Sequence, residues 1–277
     1  MSLSILSNIP SLQAQNQLAS TSAGLQKTLF RLSSGSRINS GADDAAGLAI
    51  ADGLQANISA LNQSARNAND GVGALQVADG ALNQVTALLN RAVTLATEGS
   101  TGTVGTQQHT ALDAEFTSIK AEIDRIGSST SFNGAAVFSA VSTNVYLSDA
   151  TATGSSTIST LSGTISTSTA GNQVDLSGKS LTDATTSQAA LTAIDTAIAN
   201  VAALRGTLGA SINRLQSATA VITNQVQNLS AAQDGIRGAN IAEEVANLSK
   251  FQILNQTGIS ALSQANQSQQ SVLKLLQ

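Results

Sequence analysis

One run of apolar side chains limits what this chain can fold into more than any other feature. From Leu54 the seam Leu54, Ile58, Leu61, Ala65, Ala68, Val72, Leu75, Asp79, Leu82, Thr86, Leu89, Val93 and Ala96 alternates steps of four and three without a break. That is the heptad period of packed helices. A second stripe, Ala78, Val85, Leu88, Ala92 and Leu95, lies beside it. So wide an apolar face predicts contact with more than one neighbouring helix. With a rise of about 1.5 Å per residue, such a helix runs for roughly 65–80 Å. No compact domain accommodates that length, so the pattern predicts a rod.

A shorter helix follows on Leu112, Phe116, Ile119, Ile123 and Ile126, with Gly127 placed to end it. The long partner comes late in the chain. Its seam reads Leu191, Ile194, Ile198, Val201, Arg205, Leu208, Ile212, Leu215, Thr219, Ile222, Val226 and Leu229, and Gly235 and Gly238 punctuate its end. Two long heptad helices from opposite ends of the sequence should pack as an antiparallel or bundled coiled coil.

The segment from 139 to 187 differs in kind. About half of it is Ser or Thr, and Lys179 is its one basic residue. The alternations Asn144–Leu147 and Gln173–Leu176 predict a small β-hairpin, and 155–169 reads as exposed loop or irregular strand. The tip of the rod is the expected place for this turn-back.

The two ends form a layer of their own. Leu18, Leu25, Leu29 and Leu32 mark one helical face. Near the C-terminus the seam reads Ile241, Val245, Leu248, Gln252, Asn255, Ile259, Leu262, Asn266, Gln269, Leu273 and Leu276, and four of these eleven positions are amides. Polar seam residues fix register but weaken the pair. The terminal helices should therefore be marginal alone and fold against copies of themselves. The expected organisation is 1–40 with 240–277 as terminal helices, 41–138 with 188–239 as a helical rod, and 139–187 as the tip.

Composition excludes several function classes. No Cys means no disulfide framework, zinc-thiolate site or thiol nucleophile. A net charge of −4 disfavours binding to the phosphates of nucleic acid. No apolar run approaches the length of a membrane span. The Met-Ser-Leu-Ser-Ile-Leu start lacks the pattern of a cleaved secretory signal.

Several motifs together resemble a known family. Arg31-Leu32-Ser33-Ser34-Gly35-Ser36-Arg37-Ile38-Asn39-Ser40, followed by Asp43-Asp44-Ala45-Ala46-Gly47-Leu48-Ala49-Ile50-Ala51, resembles the signature of bacterial flagellin. Ser64–Gly71 and Phe132-Asn133-Gly134 look like two further family motifs. Leu204–Ala210, Asn213-Arg214-Leu215 and Gln264-Ala265-Asn266-Gln267 are similar to the family's C-terminal half. The likeness covers roughly 1–140 and 190–277. It departs from the family at Gly41-Ala42, where Ala-Lys is usual, and at Gly238-Ala239-Asn240, where Asp-Ala-Asp is common.

The resemblance implies the subunit of the extracellular flagellar filament, a self-assembling homopolymer for swimming. It implies terminal helices that line the inner tube, and a short form without large central domains. It also implies type III export without a cleaved signal peptide. The implied partners are other copies, the flagellar cap and hook-junction proteins, an export chaperone on the C-terminal helix, and a vertebrate innate receptor. Rival readings are a hook–filament junction protein, another secreted coiled-coil assembly protein such as a needle protein, and an enzyme or adhesin on a stem.

Individual residues read mostly as structural. Asp43 and Asp44 precede a helix, where carboxylates cap free N–H groups, so an acid/base pair is the weaker reading. His109 is the only His, so no His-pair metal motif exists. Gly178-Lys179-Ser180 lacks the earlier Gly of a phosphate loop, with Gln173 in its place. Gly71-Val72-Gly73 reads as close helix packing. Arg205, alone on an apolar seam, is either a snorkelling side chain or one half of an inter-subunit ion pair. Arg31, Gly35, Arg37, Asn39, Asp43 and Asp44 read as a spoke or bend between layers. By the resemblance Arg91, Leu95 and Glu115 are candidate innate-receptor contacts. Leu18, Leu25, Leu29, Leu32, Val245, Leu248, Ile259, Leu262, Leu273 and Leu276 are the candidate subunit-packing set. No catalytic residue, metal site or cofactor is expected. The fold class is mainly α: a rod of long heptad-patterned helices with a small β tip.

Overall fold

A computed structural model describes residues 8–139, 143–148, 157–160, 163–168 and 172–275. Among them are five α-helices and two antiparallel strand pairs. In chain order these are α1 (Ile9–Ser34), α2 (Ala45–Gly99), α3 (Thr106–Ser129), β1 (Ser131–Phe132), β2 (Ala135–Ala136), β3 (Thr143–Tyr146), β4 (Thr157–Thr160), α4 (Ala184–Arg237) and α5 (Ile241–Leu275). The protein is mainly α, as its heptads predict. The chain divides into two compact units, Met1–Ala56 with Asn228–Gln277, and Asn57–Gln227. These boundaries fall inside α2 and α4 rather than at the bends near 40 and 240.

The larger unit holds the apolar core. Leu75, Ala78, Leu82, Val85, Leu89, Ala92 and Leu95 on α2 join Phe116 and Ile123 on α3 and Ile194, Val201, Leu208 and Leu215 on α4, all buried. Both predicted stripes of α2 are used, because α2 packs against two helices at once. The α2–α4 pair is antiparallel: Gly71 lies against Leu215, Asp79 against Arg205 and Gly99 against Ser187. On α4 one predicted seam column, Ile194, Val201, Leu208, Leu215 and Ile222, is buried as expected. The other buried column is Ala190, Ala197 and Leu204, one residue before the expected Leu191, Ile198 and Arg205.

Gly127 does not end α3. It sits two residues before the helix end, buried, where a side chain would run into the backbone of Ile165. Gly71 likewise makes room for Val145 and Leu215, which is the close packing its sequence context predicts. Gly235 lies within α4, and the helix ends before Gly238.

The tip keeps one of its two expected strands. β3 contains Asn144–Tyr146, but it pairs with β4, Thr143 opposite Thr160 and Tyr146 opposite Thr157. β4 lies inside the stretch that reads as exposed loop or irregular strand. Gln173–Leu176 is not a strand, yet Val174 and Leu176 are fully buried. Their alternation reflects burial on the helices rather than sheet pairing. Phe132-Asn133-Gly134 has a clear local cause. Asn133 (φ 51°) and Gly134 (φ 78°) are the two left-handed residues of a tight turn that pairs Phe132 with Ala135.

A polar stripe along α3 receives the returning chain. The His109 imidazole bonds the Leu181 carbonyl through Nδ1 (2.8 Å), and Asp113 accepts from the Leu181 N–H (2.7 Å). Lys120 donates to the Lys179 carbonyl (2.8 Å), and its Nζ lies 4.9 Å from the centre of the Phe116 ring. Asp124 accepts from the Thr167 N–H (2.6 Å) and hydroxyl (2.9 Å). His109 is thus a buried structural side chain. No group of three or more potential metal ligands occurs among the described residues.

Candidate assembly surface

The smaller unit is built on α1 and α5, which run antiparallel. Asn8 caps α1 by accepting from the Ser11 N–H (3.0 Å), and Pro10 is tolerated in the first turn because its missing N–H has no partner there. Gly35 ends the helix in the left-handed conformation at φ 68°. Asn240 opens α5, accepting from the Glu243 N–H (3.4 Å).

The residues expected to form a spoke or bend converge on this pair. The Gly35 carbonyl accepts from Ala239 N–H (3.0 Å), and the Arg37 N–H donates to the Arg237 carbonyl (2.6 Å). The Arg37 guanidinium also reaches the Ile236 carbonyl (3.0 Å). Asn39 donates to the Ser34 hydroxyl and the Ser36 carbonyl, which holds the loop after α1. The two predicted carboxylates separate in role. Asp44 caps α2 through the Gly47 N–H (2.9 Å). Asp43 accepts from the Asn39 and Ser40 N–H groups (both 3.3 Å) and from Lys27 (2.6 Å). Its hydrogen bond from Lys27, then the one from Asn39, lowers its pKa to about 2. Arg31 bridges Asp43 (3.6 Å) and the buried Glu244 (3.3 Å), which joins α1, the spoke and α5 in one charge cluster.

The seam between α1 and α5 carries polar side chains among its leucines where a coiled coil is normally apolar throughout. The two buried side chains of α1 are Thr21 and Thr28. Asn255 donates to the Ser22 hydroxyl (3.1 Å), and Ser11 donates to Asn266 (3.1 Å). Leu18, Leu25, Leu32, Leu248 and Leu262, expected to pack between subunits, are half-buried on this seam within one chain. Leu29, Val245 and Ile259 point to solvent instead. Ile9, Leu12 and Phe30 on α1 are exposed as well, as are Ile241, Ile253 and Leu254 on α5, with Ile253 at 66% and Phe30 at 61%. Leu273 lies in α5, and Leu276 lies outside the described residues. The sequence reading missed Phe251, which packs on Gly24 of α1. Its signal was the glycine: a gap on one helix calls for a large side chain on the other.

Other candidate residues lie in the larger unit. Arg205 has its acidic partner in its own chain, Asp79, at 2.7 Å. Both were visible in the sequence as the charged members of two apolar seams. Arg91 pairs with Glu115 at 2.8 Å on the surface. Leu95 is 2% exposed and belongs to the core, so no receptor reaches it in the folded chain. The Arg91–Glu115 pair alone remains available from that set.

The terminal helices mix hydroxyls and amides with half-buried leucines between them and leave Ile9, Leu12, Leu29, Phe30, Val245, Ile253 and Ile259 exposed, as a subunit of an assembly would. Comparison with known proteins gives the family. The bacterial flagellin N-terminal helical region matches residues 5–143, and the bacterial flagellin C-terminal helical region matches residues 191–276. The chain is 37% identical to a flagellin of Halalkalibacterium halodurans over 97% of its own length and 98% of the relative's. It is 32% identical to a flagellin of Listeria monocytogenes over 99% of both chains. It is also 32% identical to the flagellar filament 33 kDa core protein of Treponema phagedenis, over 97% of this chain and 98% of that one. The crystal structure of Bacillus cereus flagellin superposes with a TM-score of 0.50 at 30% identity, covering 61% of this chain and 94% of that one. This chain belongs to the bacterial flagellin family and is a structural subunit of the flagellar filament. No helix among the described residues is long and apolar enough to cross a membrane.

Proposed function

We propose that the outward apolar faces of α1 and α5 are the surface by which copies pack in the filament. The exposed apolar side chains of the terminal pair carry this reading. Burying a Leu, Ile or Phe side chain fully is worth roughly 1.5–3 kcal/mol. The exposed side chains of Leu29, Phe30, Val245, Ile253 and Ile259 therefore offer neighbouring copies substantial stabilisation. The filament reading requires heterologous contact between copies, in which different faces meet and the assembly grows as an open helix. The role is geometric rather than catalytic.

The family likeness supports further assignments. The cap and hook-junction proteins would meet the same terminal surfaces at the two ends of the filament. An export chaperone would cover the outward face of α5 before export. The exposed Arg91–Glu115 pair would be the part of the larger unit open to an innate receptor. Export would proceed without leader cleavage, which the intact mass of the filament protein tests directly.

The main test is seeded polymerisation of full-length protein followed by electron microscopy. Phe30→Asp and Ile253→Asp should abolish elongation and leave the helical content of the larger unit unchanged. Deleting residues 1–35 or 245–277 should give a folded monomer that does not pellet. Filaments at the usual yield from either kind of variant would refute the assignment.

A further inference from the structure

The sequence of α5 supports two overlapping seams that share Leu248, Asn255, Leu262 and Gln269. One adds Val245, Gln252, Ile259 and Asn266, and the other adds Glu244, Phe251, Gly258 and Ala265. Each has apolar members, Val245 and Ile259 in the first and Phe251 and Ala265 in the second, so hydrophobicity alone does not choose between them. The structure turns the second towards α1 and leaves Val245 and Ile259 outside. Burial of apolar surface therefore does not explain the choice.

Shape does. Phe251 of α5 lies over Gly24 of α1, so closely that a Cβ on Gly24 would come within 2.7 Å of the ring. In return, Leu18 of α1 lies over Gly258 of α5, with Cδ1 3.3 Å from where a Cβ would be. Each helix thus offers one large side chain and one gap, and each side chain fills the other helix's gap. Sliding α5 by one heptad in one direction sets Gly258 opposite Gly24, which leaves a void, and moves Phe251 to Arg31. Sliding it the other way brings Phe251 level with Gln17 and Leu18, where α1 has no gap. Either slip also breaks the Ser22–Asn255 hydrogen bond and the Arg31–Glu244 ion pair.

We propose that Gly24–Phe251 and Leu18–Gly258 form a reciprocal steric lock that sets the α1–α5 register and selects which face of α5 is shown to neighbouring copies. The lock deepens the assembly-surface reading and rests on it only for the second half of that statement. A polar seam gains little from burial, so fit decides the register where hydrophobicity does not.

The chain has no cysteine, so register can be read by introduced pairs. In full-length protein, free and as filaments, Ser22→Cys with Asn255→Cys should cross-link within the chain on oxidation. Ser22→Cys with Leu248→Cys or with Leu262→Cys reports the two slipped registers and should not. Adding Gly24→Leu should lower the native cross-link about tenfold, the population change implied by the low end of overpacking costs. Adding Phe251→Ala to Gly24→Leu should restore it, because the large and small partners are then exchanged. An unchanged native cross-link in Gly24→Leu, or no rescue by Phe251→Ala, overturns the lock. So does a slipped cross-link in the unsubstituted background. Filaments that persist when Phe30→Asp or Ile253→Asp is added to the 22–255 pair, with that cross-link intact, would count against the assembly surface and leave the lock standing.

Discussion

Two glycines of the larger unit should respond to the same substitution with opposite sign. Gly80 lies within α2, exposed, with no atom near the place a Cβ would occupy. Gly80→Ala gains only helix propensity, about 0.8–1 kcal/mol. Gly127 on α3 would gain the same amount, but a Cβ there would overlap the carbonyl oxygen of Ile165 and lie only 3.0 Å from its carbonyl carbon and 3.1 Å from its own Cβ. The returning chain would have to withdraw by about an ångström, an overpacking cost of about 1–3 kcal/mol. Withdrawal also pulls Thr167 away from Asp124, which holds it by two hydrogen bonds of 2.6 and 2.9 Å. Charge-assisted bonds of this kind are worth about 1.5–3 kcal/mol. Gly127→Ala should therefore be net destabilising and Gly80→Ala stabilising. Urea unfolding of the full-length protein, followed by far-ultraviolet circular dichroism, measures both. A Gly127→Ala midpoint at or above wild type, with Gly80→Ala raised, would refute the close-approach account of this glycine.

Two other predictions concern charge. The Asp43 carboxyl titrates at about 2 in the folded chain against an ordinary value of 3.8. A depressed carboxylate pKa adds stability that is present above the ordinary value and is lost as pH falls through the folded one. Thermal stability of the smaller unit should thus drop between about pH 4 and pH 2, and Asp43→Asn should flatten that part of the pH profile. The profile is read by hydrogen exchange of α1 amides, and an unaltered slope in the variant would assign the acid response to other groups. The Arg205–Asp79 pair is half-exposed on both sides. A double-mutant cycle with Arg205→Met and Asp79→Asn should give a coupling of about 0.2–1 kcal/mol that shrinks in high salt. A coupling of zero at low salt would mean that the pair fixes no more than a surface conformation.

The helices were legible in the sequence and their exact faces were not. A heptad repeat fixes one column of contacts, and this column was read correctly on α4 as Ile194, Val201, Leu208, Leu215 and Ile222. The second column lies on one side or the other of the first, depending on where the partner stands. On α4 the small Ala190 and Ala197 go inside and Arg205 stays at the edge, where it can meet Asp79. On α5 the same one-residue ambiguity separates Phe251 from Gln252 and Gly258 from Ile259. The tip was harder to read. The partner of β3 is chosen by pairing across a Ser/Thr-rich stretch in which many registers look alike. The α3 stripe was not legible as a set: His109 stands out in the sequence only as the lone histidine, and Asp113, Lys120 and Asp124 each look like ordinary exposed side chains. Only the returning chain makes them a set.

The two units solve opposite problems with the same helical grammar. In the larger unit the apolar columns face one another, so three helices and the tip complete their core within one chain. In the smaller unit the columns are mixed: Thr21 and Thr28 lie inside beside half-buried Leu18, Leu25, Leu248 and Leu262, while Phe30 and Ile253 lie outside. Had Phe30 and Ile253 faced inward, the pair would be more stable by itself and would offer neighbours less apolar surface. With the polar groups inside, little of the pair's stability comes from its own seam and much of it is left to contacts with other copies. Such a seam needs another device to keep its register, and complementary gaps and side chains can supply one at no cost in exposed apolar surface. On this reasoning the amides and threonines of the terminal helices are not weaknesses of an imperfect coiled coil. They are what leaves the apolar side chains available to bind the next subunit.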